Sequence, residues 1–333
     1  MIDYAGQGME IDVVAEEKFF NKDFFFSYSG FNKLLFSPKL FYDYYILNGR
    51  EEKLDTHLIE GQLIHLLFLE EELFSKNYMI LPGNLPTGNN KKIVEAIYKT
   101  YGPLNSNLSA YESEILSLLV DMNLHQSLKT DAQRTEKVLT EDNKNYFKFL
   151  CEKEDKNVVD QATYDSCKAI AQQLKLNLEV RDVFILDEKV KRHNELYLKV
   201  DKFDNYSWGL HGYLDNLTIK DDIYYINDIK TTGKSLNDFP DSVKYYSYWL
   251  QAAIYTILVR KHFNISYDQI KFNFCVVDKY KQVKCFSIND LTLSSWRCKA
   301  VTEVFNKAEW HYTNRNFTLP YDIIHNNILF DKL

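Results

Sequence analysis

The sequence predicts an α/β protein, in which a small mixed sheet flanked by helices carries a large helical N-terminal half. Two observations predict it. From about residue 183 onward the chain breaks into short runs rich in β-branched and aromatic residues, separated by Asn, Asp and Gly. Those runs then alternate with apolar helical stretches, the order expected of an α/β core. A third observation sets the size. The 333 residues are 45% hydrophobic and 15% aromatic, enough to bury a substantial core. Eleven Gly and six Pro are scattered without forming a linker, so one elaborated domain over 1–333 is expected. Its parts are a helical region 25–183 that carries His65, an α/β core 184–310 and an extension 311–333.

Taken in order, residues 27–46 read as two short helices, with Ser29 and Ser37 as caps and Pro38 in the first turn of the second. A longer helix runs from about Thr56 to Phe74, with His65 among Leu58, Leu63, Leu66, Leu67 and Leu69. Residues 80–90 read as a loop. Gly83 and Gly88 are spaced like two phosphate-loop glycines, but Asn89-Asn90 stands where Lys-Ser/Thr is needed, which excludes a nucleotide clamp and ATP. Residues 91–183 read as mostly helical and polar, including 161–177. Strands are expected at Val183–Leu186, Glu195–Val200, Leu210–Ile219 and Ile223–Ile229. A helix from about Ser242 to Lys261, strands Lys271–Val277 and Val283–Ile288, and a helix from Leu291 to Ala308 complete the chain.

A formal charge of −7 argues against indiscriminate coating of nucleic acid, because that rests on Lys and Arg displacing counterions. It leaves a nuclease open, since metal-binding carboxylates add to the negative balance. Five cysteines, at 151, 167, 275, 285 and 298, fit reduced thiols and form no C-x-x-C pair. The start Met1-Ile2-Asp3-Tyr4 lacks a basic, then apolar pattern, and no stretch approaches about 18 apolar residues. A soluble, cytoplasmic protein without membrane association is expected.

The informative segment is His211-Gly212-Tyr213-Leu214-Asp215-Asn216, followed by Asp228-Ile229-Lys230-Thr231-Thr232. Residues two apart on a strand share a face, so Asp228 and Lys230 point together and Ile229 points away. Asp215, ending the preceding strand of a hairpin, can lie beside Asp228. Two carboxylates and a backbone carbonyl, that of Ile229, are hard oxygen ligands suited to Mg²⁺ or Mn²⁺. Lys230 would orient water and offset charge on the phosphate. A bare D-x-K is common by chance, and its blandest reading is a surface ion pair. Its setting argues otherwise: Ile223-Tyr224-Tyr225-Ile226 makes the strand apolar, Gln251 and Tyr255 lie four apart on the next helix, and His65 could supply an imidazole. Tyr245, Tyr246, Tyr248 and Trp249 read as packing aromatics, one of which could stack on a base.

In combination these residues resemble the RecB-type branch of the PD-(D/E)XK nucleases, most closely the RecE-type exonucleases (exodeoxyribonuclease VIII) and their phage relatives. Ser29 to Tyr45 resembles the family's opening helices, Gly61 to Glu70 its Gly-x-x-x-His-x-x-x-Leu-Glu motif, and residues 160–180 the helix before the sheet. Glu195 matches an acidic residue on the strand before the hairpin. Gly212-x-x-Asp215, Asp228-Ile-Lys230-Thr-Thr and Gln251-x-x-x-Tyr255 match G-x-x-D, D-x-K-T-T and Q-x-x-x-Y.

The resemblance implies a restriction-endonuclease-like core, with His65, Asp215 and Asp228 as metal ligands and Lys230 as the catalytic lysine. Glu195 would be a further catalytic acid, and Gln251 with Tyr255 active-site or DNA-contacting residues. It implies an Mg²⁺-dependent (or Mn²⁺-dependent) exonuclease on linear double-stranded DNA ends, 5′ to 3′, making single strands for recombination in a bacterial or phage-infected cell. By analogy it implies a homo-oligomeric ring and a single-strand annealing partner. Iron–sulfur relatives carry a cysteine before the early proline and a C-terminal cysteine cluster. Here Ser37 precedes Pro38 and Cys275, Cys285 and Cys298 are widely spaced, so no iron–sulfur cluster is expected. A structure-specific endonuclease with the same centre, or a catalytically idle DNA-binding protein, remain the competing readings.

Overall fold

The structure, a computed structural model, describes residues 14–49, 56–102, 104–184 and 190–325, with 56–58 described by backbone alone. The chain divides into two compact units, one formed by Met1–Leu69 and Gln172–Leu333 and the other by Glu70–Ala171. The class is mixed α/β, with a mixed sheet flanked by helices, as the sequence led us to expect.

The first unit holds a six-stranded sheet: β1 (Phe25–Phe26), β2 (Lys191–Val200), β3 (Gly209–Lys220), β4 (Ile223–Thr232), β5 (Ile270–Asp278) and β6 (Val283–Ile288). β3 is antiparallel to β2 and β4, β4 is parallel to β5, β5 is antiparallel to β6, and β1 pairs parallel to the start of β3. The β3–β4 turn is Asp221-Asp222, both at positive φ (50° and 59°) between the paired Lys220 and Ile223. Two such residues give a turn whose twist matches that of the strands, which locks the hairpin register.

The helices that position the site are α1 (Tyr28–Phe36), α2 (Thr56–Leu69), α3 (Leu178–Phe184), α4 (Phe239–Tyr245) and α5 (Tyr248–Phe263). In α5 every residue from Trp249 to Val259 is buried, so this helix runs through the core rather than over it. It ends on Asn264 at φ 52°, a residue type that tolerates the left-handed cap. Its partners in one continuous core include Phe26, Phe31, Trp208, Leu214, Leu217, Ile226, Phe272, Phe274 and Phe305.

Several local expectations change. Ser27, not Ser29, caps α1, accepting from the Gly30 amide, while Ser37 caps the following turn with Pro38 at its first position as expected. Val183 and Phe184 close α3 instead of opening a strand, because Val180 and Phe184 sit four apart on one buried face; Ile185 and Leu186 lie outside the described residues. The helix expected over 242–261 is two helices broken at Tyr246 and Ser247, the latter at φ 56°. The loop expected over 80–90 gives way to a helix at Gly88.

The second unit, Glu70–Ala171, has its own core of Ile93, Val94, Ile97, Leu108, Tyr111, Ile115, Leu119, Val138, Phe147 and Phe149. It pairs two short parallel strands, Tyr78–Ile80 and Asn157–Val159. Among the described residues no helix is long and apolar enough to cross a membrane.

Candidate active site

The hairpin opens where its two acids meet. β3 and β4 pair from Lys220–Ile223 as far as Asn216–Asn227 and no further, whereas β4 stays paired with β5 out to Thr232–Asp278. One residue beyond the last β3–β4 pair stand Asp215 and Asp228. The Asp215 carboxylate takes over the ladder's task, its Oδ2 accepting the Ile229 amide at 2.7 Å.

Side-chain alternation also reverses at this row. Leu214 and Leu217 enter the same core although they are an odd number of residues apart, so β3 turns its faces over between them. Opposite Asp215, between the paired Asn194–Asn216 and Leu196–Leu214, Glu195 adopts φ 46°. A left-handed glutamate costs about 1–2 kcal/mol, and such strain concentrates at functional sites. This local turn-over allows acids from two neighbouring strands to converge.

The helix α2 supplies the third group. Leu63, Ile64 and Leu67 are buried and anchor the helix, leaving His65 half-buried with Nε2 3.1 Å from the Ile229 carbonyl and Nδ1 3.6 Å from Asp215 Oδ2. One ligand atom each from His65, Glu195 and Asp215 lie within 4.8 Å of one another. That spread matches atoms around one cation at metal–ligand distances of about 2.0–2.5 Å. An imidazole, two carboxylates and the adjacent Ile229 carbonyl therefore make a donor set that fits a divalent ion.

Asp228 stands outside that cluster. It is fully buried, and Lys230 Nζ lies 2.6 Å from its Oδ2. That ion pair is the contact of Oδ2, while Oδ1 has no hydrogen-bond partner among the described residues. Burial pushes the Asp228 carboxyl up to about 7 against the pull of Lys230, and Asp215 adds to the rise. For Lys230 burial acts downward, but the carboxylates of Asp228 and Asp215 outweigh it and hold the ammonium above its ordinary range. Lys230 therefore remains a cation at neutral pH.

Tyrosines enclose this pair. Lys230 Nζ sits 4.8 Å from the centre of the Tyr248 ring. The Tyr28 hydroxyl donates to the Tyr246 carbonyl at the break between α4 and α5, with Asn32 Nδ2 reaching the same oxygen at 3.3 Å. Burial raises the phenols of Tyr28, Tyr248 and Tyr255, so all three are neutral donors near the two aspartates. Gln251 donates to the Tyr255 hydroxyl at 3.1 Å, both residues being buried, while Gln251 Oε1 has no partner among the described residues. Gly212 is needed here because a Cβ would lie 2.9 Å from the Tyr255 ring and 3.2 Å from Leu258.

Of the residues singled out in the sequence, His65, Glu195 and Asp215 form the ligand cluster and Asp228 with Lys230 an ion pair one residue further along β4. Ile229 between them offers its amide to Asp215 and its carbonyl to His65. Gln251 and Tyr255, read as active-site or DNA-contacting residues, meet on the buried α5. Tyr248, read as one of four packing aromatics, faces Lys230, whereas Tyr28 was missed and nothing in its own spacing would have found it. A row of asparagines beside the acids was also missed, though Asn194-Glu195, Asp215-Asn216 and Asn227-Asp228 repeat one pairing on three strands.

No family model and no curated protein matches the chain. Among solved structures it is similar to a candidate exonuclease from Eubacterium rectale, at 11% identity over 92% of this chain and 89% of that one, with a TM-score of 0.43. It is also similar to the protein SSO0001, at 13% identity over 82% and 96%, with a TM-score of 0.27. Likeness at these values does not bear on the reaction.

Proposed function

We propose that the chain is a divalent-metal-dependent deoxyribonuclease of the PD-(D/E)XK type. The observation that carries this is the convergence of His65, Glu195 and Asp215 beside a buried Asp228–Lys230 pair, at the point where the hairpin opens. His65, Glu195, Asp215 and the Ile229 carbonyl would hold the ion, with Asp228 beside them as the partner of Lys230. The oxygen-rich set favours Mg²⁺ or Mn²⁺. Such an ion supplies Lewis acidity toward a phosphodiester oxygen and toward water.

The chain's own groups do the rest. Lys230, kept protonated by the aspartates, donates to the negative charge that grows on the phosphate in the transition state. Asp228 fixes where that ammonium points. Asp215 and His65, tied to the two backbone groups of Ile229, hold the opened strands at one spacing. Gln251 Oε1, a buried acceptor without a hydrogen-bond partner among the described residues, is suited to a donor on substrate or its ordered water.

Exonuclease action on linear duplex ends, 5′ to 3′ direction, a ring of subunits and an annealing partner are proposed from the motif resemblance. The test is digestion of end-labelled linear and closed circular duplex DNA with Mg²⁺, with Mn²⁺ and with EDTA, by wild type, Asp215→Asn and Lys230→Ala. We expect metal-dependent release from linear DNA alone, abolished in both variants. Cleavage of circles would replace the exonuclease by an endonuclease. Activity in EDTA, or undiminished activity in the variants, would overturn the metal mechanism.

A further inference from the structure

We infer that an unbroken side-chain ladder, Asn194–Asn216–Asn227–Asn273–Ser287, is the positioning device of the site. Asn194 Nδ2 donates to the Leu69 carbonyl at 2.9 Å; Asn216 donates to Asn194, Asn227 to Asn216 and Asn273 to Asn227, each at 2.8 Å; Ser287 Oγ donates to Asn273 at 2.7 Å. The five residues are direct partners in a single row across β2, β3, β4, β5 and β6. Each link donates in the same sense, so neighbouring dipoles reinforce one another. Thr218 Oγ1 joins Asn216 at 2.9 Å, and Asn227 also reaches the Val183 carbonyl at 3.1 Å.

Place gives the ladder its role. Asn194, Asn216 and Asn227 are the immediate chain neighbours of Glu195, Asp215 and Asp228, and Leu69 lies one helical turn beyond His65 on α2. The ladder thus touches every element that contributes to the cluster. It is also the last row in which β3 and β4 pair, so it fixes where the hairpin opens. An apolar row of similar volume would fill this layer without loss of stability, whereas amides tolerate only one register. A slip of one residue would place an amide against Leu, Ile or Asp and turn the acids to the other face.

The inference rests on the metal reading only where metal affinity is measured, so two readouts are needed. One is Mn²⁺ affinity by titration of the apo protein, and the other is hydrogen exchange of the Ile229 amide without metal. Asn194→Ala breaks the ladder at its solvent-exposed helix end, Asn216→Val/Asn227→Val removes its centre, and Ser287→Ala trims the end away from the acids.

We expect the first two to weaken Mn²⁺ binding about tenfold or more, as loss of a ligand's supporting contacts does, and to speed Ile229 exchange by a similar factor. Ser287→Ala should leave both within about twofold. If the central double variant does not fold, Asn194→Ala decides. Wild-type Mn²⁺ affinity and Ile229 protection in a folded Asn194→Ala would overturn the inference. So would equal losses in Ser287→Ala, which would mark the ladder as a general stabiliser. Failure of wild type to bind Mn²⁺ would overturn the metal reading instead, leaving the exchange rates to judge the ladder.

Discussion

Two rows of polar side chains lie side by side in the same sheet, one residue apart, and are treated oppositely. In the asparagine row every buried side-chain atom has a hydrogen-bond partner among the described residues. In the acidic row Asp228 Oδ1 has no hydrogen-bond partner among the described residues, Glu195 takes a left-handed backbone and two strands part company. A row optimised for folding alone would not bury a carboxylate with one oxygen left unpartnered, since an under-bonded buried charge costs several kcal/mol. The contrast separates the two tasks. The complete row holds register, and the incomplete row keeps its bonding capacity for something that arrives.

The largest expected effect breaks the incomplete row at its cation. Lys230→Ala should lower the turnover of DNA by about 10²–10³-fold or more, the loss seen when a preorganised donor to developing charge is removed. It should leave Mn²⁺ affinity within a few-fold of wild type, because Lys230 is not a ligand. Measured kcat beside titrated metal affinity checks this. A variant that turns over DNA at the wild-type rate would demote Lys230 to a structural counter-ion of Asp228.

Much of this contrast is legible in the sequence and part is not. The β4 strand announces itself through Ile223-Tyr224-Tyr225-Ile226, and the period of two places Asp228 and Lys230 on one face, where they form their ion pair. The Asp221-Asp222 turn between alternating runs likewise marks the hairpin. What the period could not foresee is its own reversal at Asp215, which depends on β3 losing β4 as a partner and on Glu195 taking a backbone state that glutamate seldom adopts. Hence Glu195, the least anchored residue in the sequence reading, enters the ligand cluster, while Asp228 turns toward Lys230. The break at Ser247 is hidden for a similar reason, since neither Gly nor Pro interrupts 241–263 and the Tyr28 contact that marks the break comes from 218 residues away. Val183 and Phe184 have strand-like composition, and their place at the end of a short helix, with Phe184 buried, is decided by tertiary packing.

A second effect concerns the charge trapped in the acidic row. Asp228 has its folded-state carboxyl raised to about 7, above the value it has in an unfolded chain. The folded state therefore binds more protons than the unfolded state between about pH 4 and 7, and stability falls as pH rises through that window. At about 1.4 kcal/mol per unit the upper bound on this loss is on the order of 4 kcal/mol. Asp228→Asn cannot ionise and removes this pH dependence, although it leaves Lys230 without its carboxylate. Melting curves of metal-free wild type and variant at pH 5 and pH 8 give the check. The difference in Tm should move in the variant's favour at the higher pH, and parallel curves would mean that the Asp228 charge is already well solvated.

The smallest effect probes how closely the core helix must approach the acidic row from the other side. At Gly212 a Cβ would meet the buried Tyr255 ring at 2.9 Å and Leu258 at 3.2 Å, and neither side chain has open space behind it in a helix buried from Trp249 to Val259. Gly212→Ala must then shift α5 or rotate Tyr255 away from Gln251, at about 1–3 kcal/mol for overpacking. The asparagine row lies on later residues of β3 and should not feel it. Chemical unfolding should show the loss, while hydrogen exchange at Asn216 and Asn227 retains wild-type protection relative to global unfolding. Loss of protection at both rows together would show that they behave as one cooperative layer, and the division of labour drawn from their hydrogen bonds would fail.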